Sequence, residues 1–325
     1  RFVLKYIFKR ILMMIPVLLG VLFLVFTMNE ISPGDPAAMI AGDAASVEVV
    51  EQIREDLGLN KPLPVRFFNY TKNLVLHGDL GTSYKTKRPV LDEVMDRLPT
   101  TILLSLTSAA FAVFLSIPIG IISAIKQNTW IDNLLMVLAL IGVAMPAFWQ
   151  GLMTIILFSV KLGWFPSYGF TTPAHWFMPV LTIGTGAMAS LVRITRSSML
   201  EVIRQDYIRT ARAKGQTERK VIISHALRNS MIPIITAIAI QLGSMLGGAI
   251  VTETVFAIPG IGMLMIQSIK ARDYPTIQGA VVVIAVMFSL LNLVVDIIYT
   301  FVDPRLKSIY QTKRKVKHFI AKSET

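Results

Sequence analysis

The sequence predicts an all-α polytopic membrane protein with six transmembrane helices, and three observations carry that prediction. Of the 325 residues, 54% are hydrophobic and only 16% charged, where soluble domains carry roughly a quarter. Six runs lack charge and are each long enough for a helix to cross a bilayer, which takes about 20 apolar residues. The cations gather at the ends of those runs. Mean hydropathy is +0.61. The net charge of +12 comes from 32 basic and 20 acidic residues. A basic balance fits either nucleic acid or a membrane surface. No aromatics are interleaved with these cations as single-strand binding requires, so nucleic acid is excluded as a partner and the lipid bilayer is favoured. The absence of cysteine excludes disulfides and thiolate metal sites.

The first run, Ile11–Met28, follows Lys5, Lys9 and Arg10 and resembles a signal peptide. Its apolar region is long and no small-x-small cleavage site follows, so it reads as an anchor. Residues 1–29 are thus expected to form a cytoplasmic N-terminus and first span. Residues 30–98 read as a small helical extracytoplasmic cap without a large core. Within it, "SPGDP" (Ser32–Pro36) is a turn cluster, and Ser46 caps a helix with Val49, Val50, Ile53 and Leu57 on one face, ended by Gly58. "KPLP" (Lys61–Pro64) breaks the chain, a second helix covers Arg66–Leu76, "HGDLG" (His77–Gly81) turns, and Pro89 begins a third helix. The remaining runs are Pro99–Ile125, Asn133–Val160, Trp176–Val192, Asn229–Thr252 and Tyr274–Val295, giving a five-helix domain over 99–303 and a basic tail over 304–325. Loop cations place both termini in the cytoplasm, with Arg193, Arg196 and Arg204 on the same side.

The chain has no G-x-x-x-x-G-K-[ST], no H-E-x-x-H, and four histidines (His77, His175, His225, His318) too scattered to form a metal cluster. An enzyme is therefore not expected, nor a cofactor or metal bound by this chain. The apolar runs lack Asp, Glu, Lys and Arg, with Glu253 and Asp296 just beyond two of them and Asp296 expected to pair near Asp303 and Arg305. Ion-driven carriers need such groups along their path. Work done by this chain is expected to be powered from outside it.

"DYIRTARAKGQTERKVIISHALRN" (Asp206–Asn229) interrupts the apolar pattern with a cation-rich cytoplasmic stretch. Ile203, Tyr207, Ile208 and Ala211 share one helix face, Gly215 suits the left-handed end of that helix, and Thr217 suits the cap of the next. Helix, glycine turn, helix makes a stiff knuckle that a separate cytoplasmic motor could grip; the competing reading is an amphipathic loop on anionic lipid.

At this stretch the sequence resembles the membrane subunits of binding-protein-dependent ABC importers, whose cytoplasmic signature reads E-A-A-x3-G-x9-I-x-L-P. Arg209, Thr210 and Ala211 occupy the first three positions, Gly215 the glycine, His225 the isoleucine, Leu227 the leucine and Arg228 the proline. "DYIRTARAKG" followed by "HALRN" and "IP" resembles the dipeptide, oligopeptide and nickel branch. "PGDP" (Pro33–Pro36), "GDLG" (Gly78–Gly81), "TRSSMLEV" (Thr195–Val202), "ETVF…PGIG" (Glu253–Gly262), "RDYP" (Arg272–Pro275) and "NLVVDIIY" (Asn292–Tyr299) extend the likeness across the chain. Glutathione permeases are also similar. The resemblance implies a type I importer fold and a peptide-transporting permease subunit. Its implied partners are a second homologous permease, two cytoplasmic ATPases that use ATP and Mg, and an extracytoplasmic substrate-binding protein. It implies a bacterial or archaeal plasma membrane location. A coupling segment over 197–228 is implied, with Asp206, Tyr207, Arg209, Thr210, Ala211, Gly215 and His225 meeting an ATPase. Pro118, Pro146, Gly243 and Gly247 are candidates for the path or its gate, and Glu253, Pro259 and Gly260 for an outer gate or docking point. A self-sufficient channel or carrier is the alternative from a different class.

Overall fold

A computed structural model of the protein describes residues 2–31, 34–42 and 45–302. The described chain is helical, with a single isolated bridge between Thr82 and Pro89. The helices are α1 (Phe2–Ile31), α2 (Pro36–Ala41), α3 (Val47–Asp56), α4 (Leu63–His77), α5 (Val90–Ile125), α6 (Trp130–Ala144), α7 (Ala147–Thr154), α8 (Pro173–Ile203), α9 (Asp206–Ala213), α10 (Glu218–Lys220), α11 (Arg228–Val255), α12 (Ile261–Ala271) and α13 (Tyr274–Val302). Two π-helical segments, Ile155–Lys161 and Val221–Leu227, prolong α7 and join α10 to α11. Ser32 and Pro33 of the turn cluster, the tail from 304, and the expected pairing of Asp296 with Asp303 and Arg305 lie outside the described residues and side chains.

Among the described residues, five helices are long and apolar enough to cross a membrane: α1, α5, α8, the α10–α11 rod and α13. The sixth expected span is not straight. Trp130–Ala144 and Ala147–Lys161 meet at 107°. The cause is Pro146, whose ring disfavours helical backbone at the residue before it; Met145 accordingly sits at φ −76°, ψ 125°. Counted as one bent crossing, the pair completes six.

Packing orders the helices from centre to periphery. Of its most apolar window, α8 buries 44% inside the chain and α1 only 11%. Thus α8 is the hub, flanked by α5, α6 and α11, while α1 lies outside against α13. The hub is joined by small residues: a Cβ on Gly120 would fall 2.5 Å from Thr195, and one on Gly184 2.6 Å from Phe111. Trp130 at one end of the bundle and Trp164 and Tyr168 at the other are exposed, as aromatic anchors at the two membrane interfaces are.

The cap differs from expectation in one respect. Its third helix does not stop at the membrane; α5 runs unbroken through Pro99 and Pro118 for 36 residues. The rest follows the sequence closely. Gly58 (φ +63°) and Gly78 (φ +65°) end α3 and α4 in left-handed backbone. The Ser46 backbone is extended as an N-cap requires, although its side chain makes no capping bond. The cap is fastened to α1 by Phe67, edge-on to Phe23 and Phe26, and by Arg66, which donates to both oxygens of Glu30 at 2.7 Å.

Candidate functional site

The knuckle has the expected helix followed by a glycine turn. Helix α9 begins after Gln205 and ends at Lys214, and Gly215 follows at φ +76°, where a side chain would be strained but would strike nothing. Arg212 closes the turn, donating Nε to Glu218 Oε2 at 3.1 Å and Nη2 to Oε1 at 2.7 Å. His225 lies beside the turn with its Nε2 2.8 Å from Gln216 Oε1. The second helix of the knuckle is no separate element: it continues through the π segment into α11. The knuckle is therefore the foot of a membrane helix.

Its two faces do different work. Ile208 and Ala211 are buried against Val221, Ile222 and Ala226 of the π segment, Met199 of α8 and Ala124 of α5. Ala211 thus seats the knuckle on its own bundle. Asp206, Tyr207, Arg209 and Thr210 face outward, and Asp206 and Arg209 stand 3.6 Å apart, largely in solvent. These four and the exposed Gly215 make up the solvent-facing side of the knuckle.

Sequence reasoning missed the buried ion pair just above this seat. Asp132, at the start of α6, is almost wholly buried; Arg196 of α8 donates Nε and Nη2 to its two oxygens, each at 2.7 Å. Ser123 of α5 and the Asn128 backbone N–H supply further donors at 2.5 and 3.0 Å. One carboxylate thereby locks the knuckle-side ends of α5, α6 and α8 together. An acid flanking an otherwise charge-free run was the available signal.

A cavity of about 260 Å³ opens at the Pro146 break, lined by Met145, Gln150, Thr182, Gly186, Gln241 and Ser244 among others. Its polar groups are uncharged amides and hydroxyls. Of the four path candidates only Pro146 adjoins it, by ending α6. Gly243 is a packing residue, since a Cβ there would lie 2.7 Å from Phe288, whereas Gly247 borders open space. Pro118 is exposed on α5.

The outer candidates form a latch. Glu253, fully buried, accepts from Thr101 Oγ1 at 2.6 Å and from the Met263 N–H at 3.1 Å, while Thr101 Oγ1 accepts from the Ile261 N–H at 2.9 Å. A carboxylate and a hydroxyl thus satisfy the open N–H groups at the start of α12. A Cβ on Gly260 would fall 2.1 Å from the carboxylate, so glycine is required there for space. Pro259 is half-buried in the same turn. Asp273, just before α13, accepts from Thr276 Oγ1 at 2.8 Å, Ser83 Oγ at 2.5 Å and the Tyr84 N–H at 2.9 Å, tying the cap loop to the start of α13.

A hub of apolar helices, a bent span beside a polar cavity and a helix–turn–helix foot describe a polytopic helical membrane subunit. The chain belongs to the family described as "Binding-protein-dependent transport system inner membrane component", which matches residues 116–308, and the family's N-terminal region matches residues 3–107. It is 45% identical over 304 residues to the glutathione transport system permease protein GsiC of Pectobacterium atrosepticum, covering 94% of this chain and 99% of that protein. It is 42% identical over 332 residues to the dipeptide transport system permease protein DppB of Alkalihalophilus pseudofirmus, with the same coverage. Its fold is that of the membrane subunit in an inward-facing structure of the MetNI methionine ABC transporter: TM-score 0.56 at 17% identity, over 65% of this chain and 96% of that one. The chain is a multi-pass membrane permease subunit, not an enzyme, and it works with a binding protein and an ATPase.

Proposed function

We propose that this permease subunit conducts short peptides delivered by an extracytoplasmic substrate-binding protein, with glutathione as the alternative cargo within the same peptide class. The observation that carries this reading is near-full-length similarity to both a dipeptide and a glutathione permease. Both cargoes named there are small and amide-bearing. The uncharged hydrogen-bonding lining of the cavity at Pro146 suits such cargo without demanding a particular charge. The pore is shared with a second homologous permease, and two ATPases, which hold the ATP and Mg, are driven against the cytoplasmic face. Both termini lie on that face. Residues 30–98 form the outer cap, 99–303 the transport domain, and 197–228 the coupling segment. Asp206, Tyr207, Arg209, Thr210 and Gly215 meet an ATPase, while Ala211 and His225 hold the knuckle in shape.

The test is reconstitution. The four-part complex with its binding protein, in proteoliposomes at constant internal ATP, is offered radiolabelled dipeptide and glutathione. Uptake of either that survives a protonophore supports the reading. Uptake by the chain alone, or loss of uptake on collapse of the proton gradient, sinks it in favour of a self-sufficient carrier.

A further inference from the structure

Helix α4 (Leu63–His77) is apolar on two sides. One side is used within the protein. Phe67 packs edge-on against Phe23 and Phe26 of α1, Tyr70 lies beside Phe26, and Leu74 packs on the cluster of Leu80, Val90 and Ile261. The opposite side is bare. Val65, Phe68, Lys72, Val75 and Leu76 share one face at i, i+3, i+7, i+10 and i+11. All five are exposed, Phe68 by 66% and Val75 by 73%. An apolar stripe of that extent, on a helix already docked through its other side, marks a surface that meets something apolar.

The height of α4 beside the membrane span says what it meets. The apolar span of α1 runs from Ile7 to Ile31, and Leu24, Met28 and Ile31 are exposed along its last turns. Bilayer is therefore expected as far as Ile31. At about 1.5 Å per residue, Phe26 and Phe23 lie roughly 7 and 12 Å before that end. The Phe67 ring, held against both, sits below the cap-side end of the span. That is the depth, about 5–10 Å, at which an interfacial amphipathic helix lodges its apolar face. The charges agree. Helix α4 carries Arg66 and Lys72 and no acid, whereas α3 carries Glu48, Glu51, Glu55 and Asp56. Arg66 is neutralised by Glu30. Lys72 stands within the bare stripe, where its stem can lie along apolar surface while its ammonium group reaches a phosphate. From this placement we infer that α4 is an interfacial membrane helix. Its Val65, Phe68, Val75 and Leu76 side chains sink into the leaflet nearest the cap, and Lys72 meets the lipid phosphates. The cap is thus held by the bilayer as well as by α1, whatever the cargo of the transporter.

The test uses the permease assembled with cysteine-free partner subunits in nanodiscs of phosphatidylglycerol and phosphatidylcholine. This chain lacks cysteine, so a nitroxide can be placed singly through Phe68→Cys, Leu76→Cys or, on the exposed start of α3, Val47→Cys. Collisions with oxygen, which concentrates in lipid, are compared with collisions with a water-soluble nickel chelate. The oxygen-to-nickel ratio at Phe68→Cys and Leu76→Cys should exceed that at Val47→Cys severalfold. Adding Lys72→Glu should raise nickel access at Leu76→Cys in these anionic discs and leave Val47→Cys unchanged; no response would overturn the placement of Lys72 at the phosphates. Only complexes that assemble and keep basal ATPase activity are compared, so a misfolded variant does not enter. Three results would overturn the inference as a whole. Nickel access equal to that at Val47→Cys would leave the face in water. Exclusion of both reagents would set another protein subunit against it. A fall in oxygen access on adding the binding protein would make the face a protein docking surface.

Discussion

The two ends of the bundle bury carboxylates in opposite ways. At the knuckle end Asp132 is matched by a full counter-charge on Arg196, and an apolar cluster around Met199 and Ile208 seats the knuckle beside it. At the outer end Glu253 and Asp273 form no salt bridge among the described residues; hydroxyls and backbone N–H groups surround them instead. The first arrangement fixes three long helices side by side. In the second, Glu253 pairs an N–H of the opening turn of α12, and Asp273 ties the cap loop at Ser83 and Tyr84 to the start of α13. An ion pair depends on its partner's charge, whereas an N–H crown depends on the space around it. Mutations should separate the two.

The largest effect is expected at the ion pair. Arg196→Met leaves Asp132 buried without its counter-charge and should cost about 3–5 kcal/mol, read as a lowered unfolding midpoint in detergent. Adding Asp132→Asn should recover much of that loss. A single variant as stable as the native chain would break the contrast between the two ends. At the outer end Gly260→Ala should be more harmful than Glu253→Gln, because the new methyl occupies the carboxylate's place. The glutamine keeps one acceptor and should cost about 1–3 kcal/mol. Proteolysis of the turn between α11 and α12 reports both, and the reverse order would show that charge, not space, governs this end.

Smaller still is the knuckle. Gly215→Val imposes left-handed backbone strain of about 1–3 kcal/mol. Because no atom lies near its Cβ, this strain should lower the unfolding midpoint less than the changes at the other sites, while ATPase stimulation and uptake fall together. Gly215→Asn should retain more coupling, since asparagine tolerates that conformation. Equal coupling in the native, Val and Asn forms would leave the segment a surface loop. The least perturbing test is labelling: with no native cysteine, Lys85→Cys should react with an impermeant thiol reagent in intact cells and Lys126→Cys should not. Ser83, two residues away, is unsuitable because it is fully buried against Asp273.

What the sequence revealed and concealed follows from range. Periodicity and turn chemistry act over a few residues, so α9, the turn at Gly215, α3, α4 and five of the six crossings were legible. Pro146 was legible as a candidate for the path or its gate, but the 107° bend at it was not, because neighbouring helices decide how far a broken span opens. Continuity of α5 through Pro99 was hidden for the same reason: a proline weakens a helix, and tertiary packing of Val90 and Val94 on Leu80 and Ile261 maintains it. The buried carboxylates were least legible. Asp132 finds Arg196 64 residues away, Glu253 finds Thr101 across 152, and Asp273 finds Ser83 across 190. For the same reason Ala211 was read as a partner-facing residue, although its neighbours on α5 and α8 enclose it.

Helix α5 joins the two ends. It starts in the cap, where Val90 and Val94 are buried beside Leu80, and finishes at Ala124, in the cluster beneath Ile208 and Ala211. At 36 residues it is about 54 Å long, well over the ~30 Å that the hydrocarbon layer requires. Cap and knuckle are thus mounted on one shaft. A tilt of about two degrees at the outer end displaces the inner end by roughly 2 Å along such a rod, a distance comparable to a helix shift at a subunit interface. A displacement of the cap therefore reaches the knuckle through a single piece of backbone, with Pro99 and Pro118 as the two places where the shaft can flex.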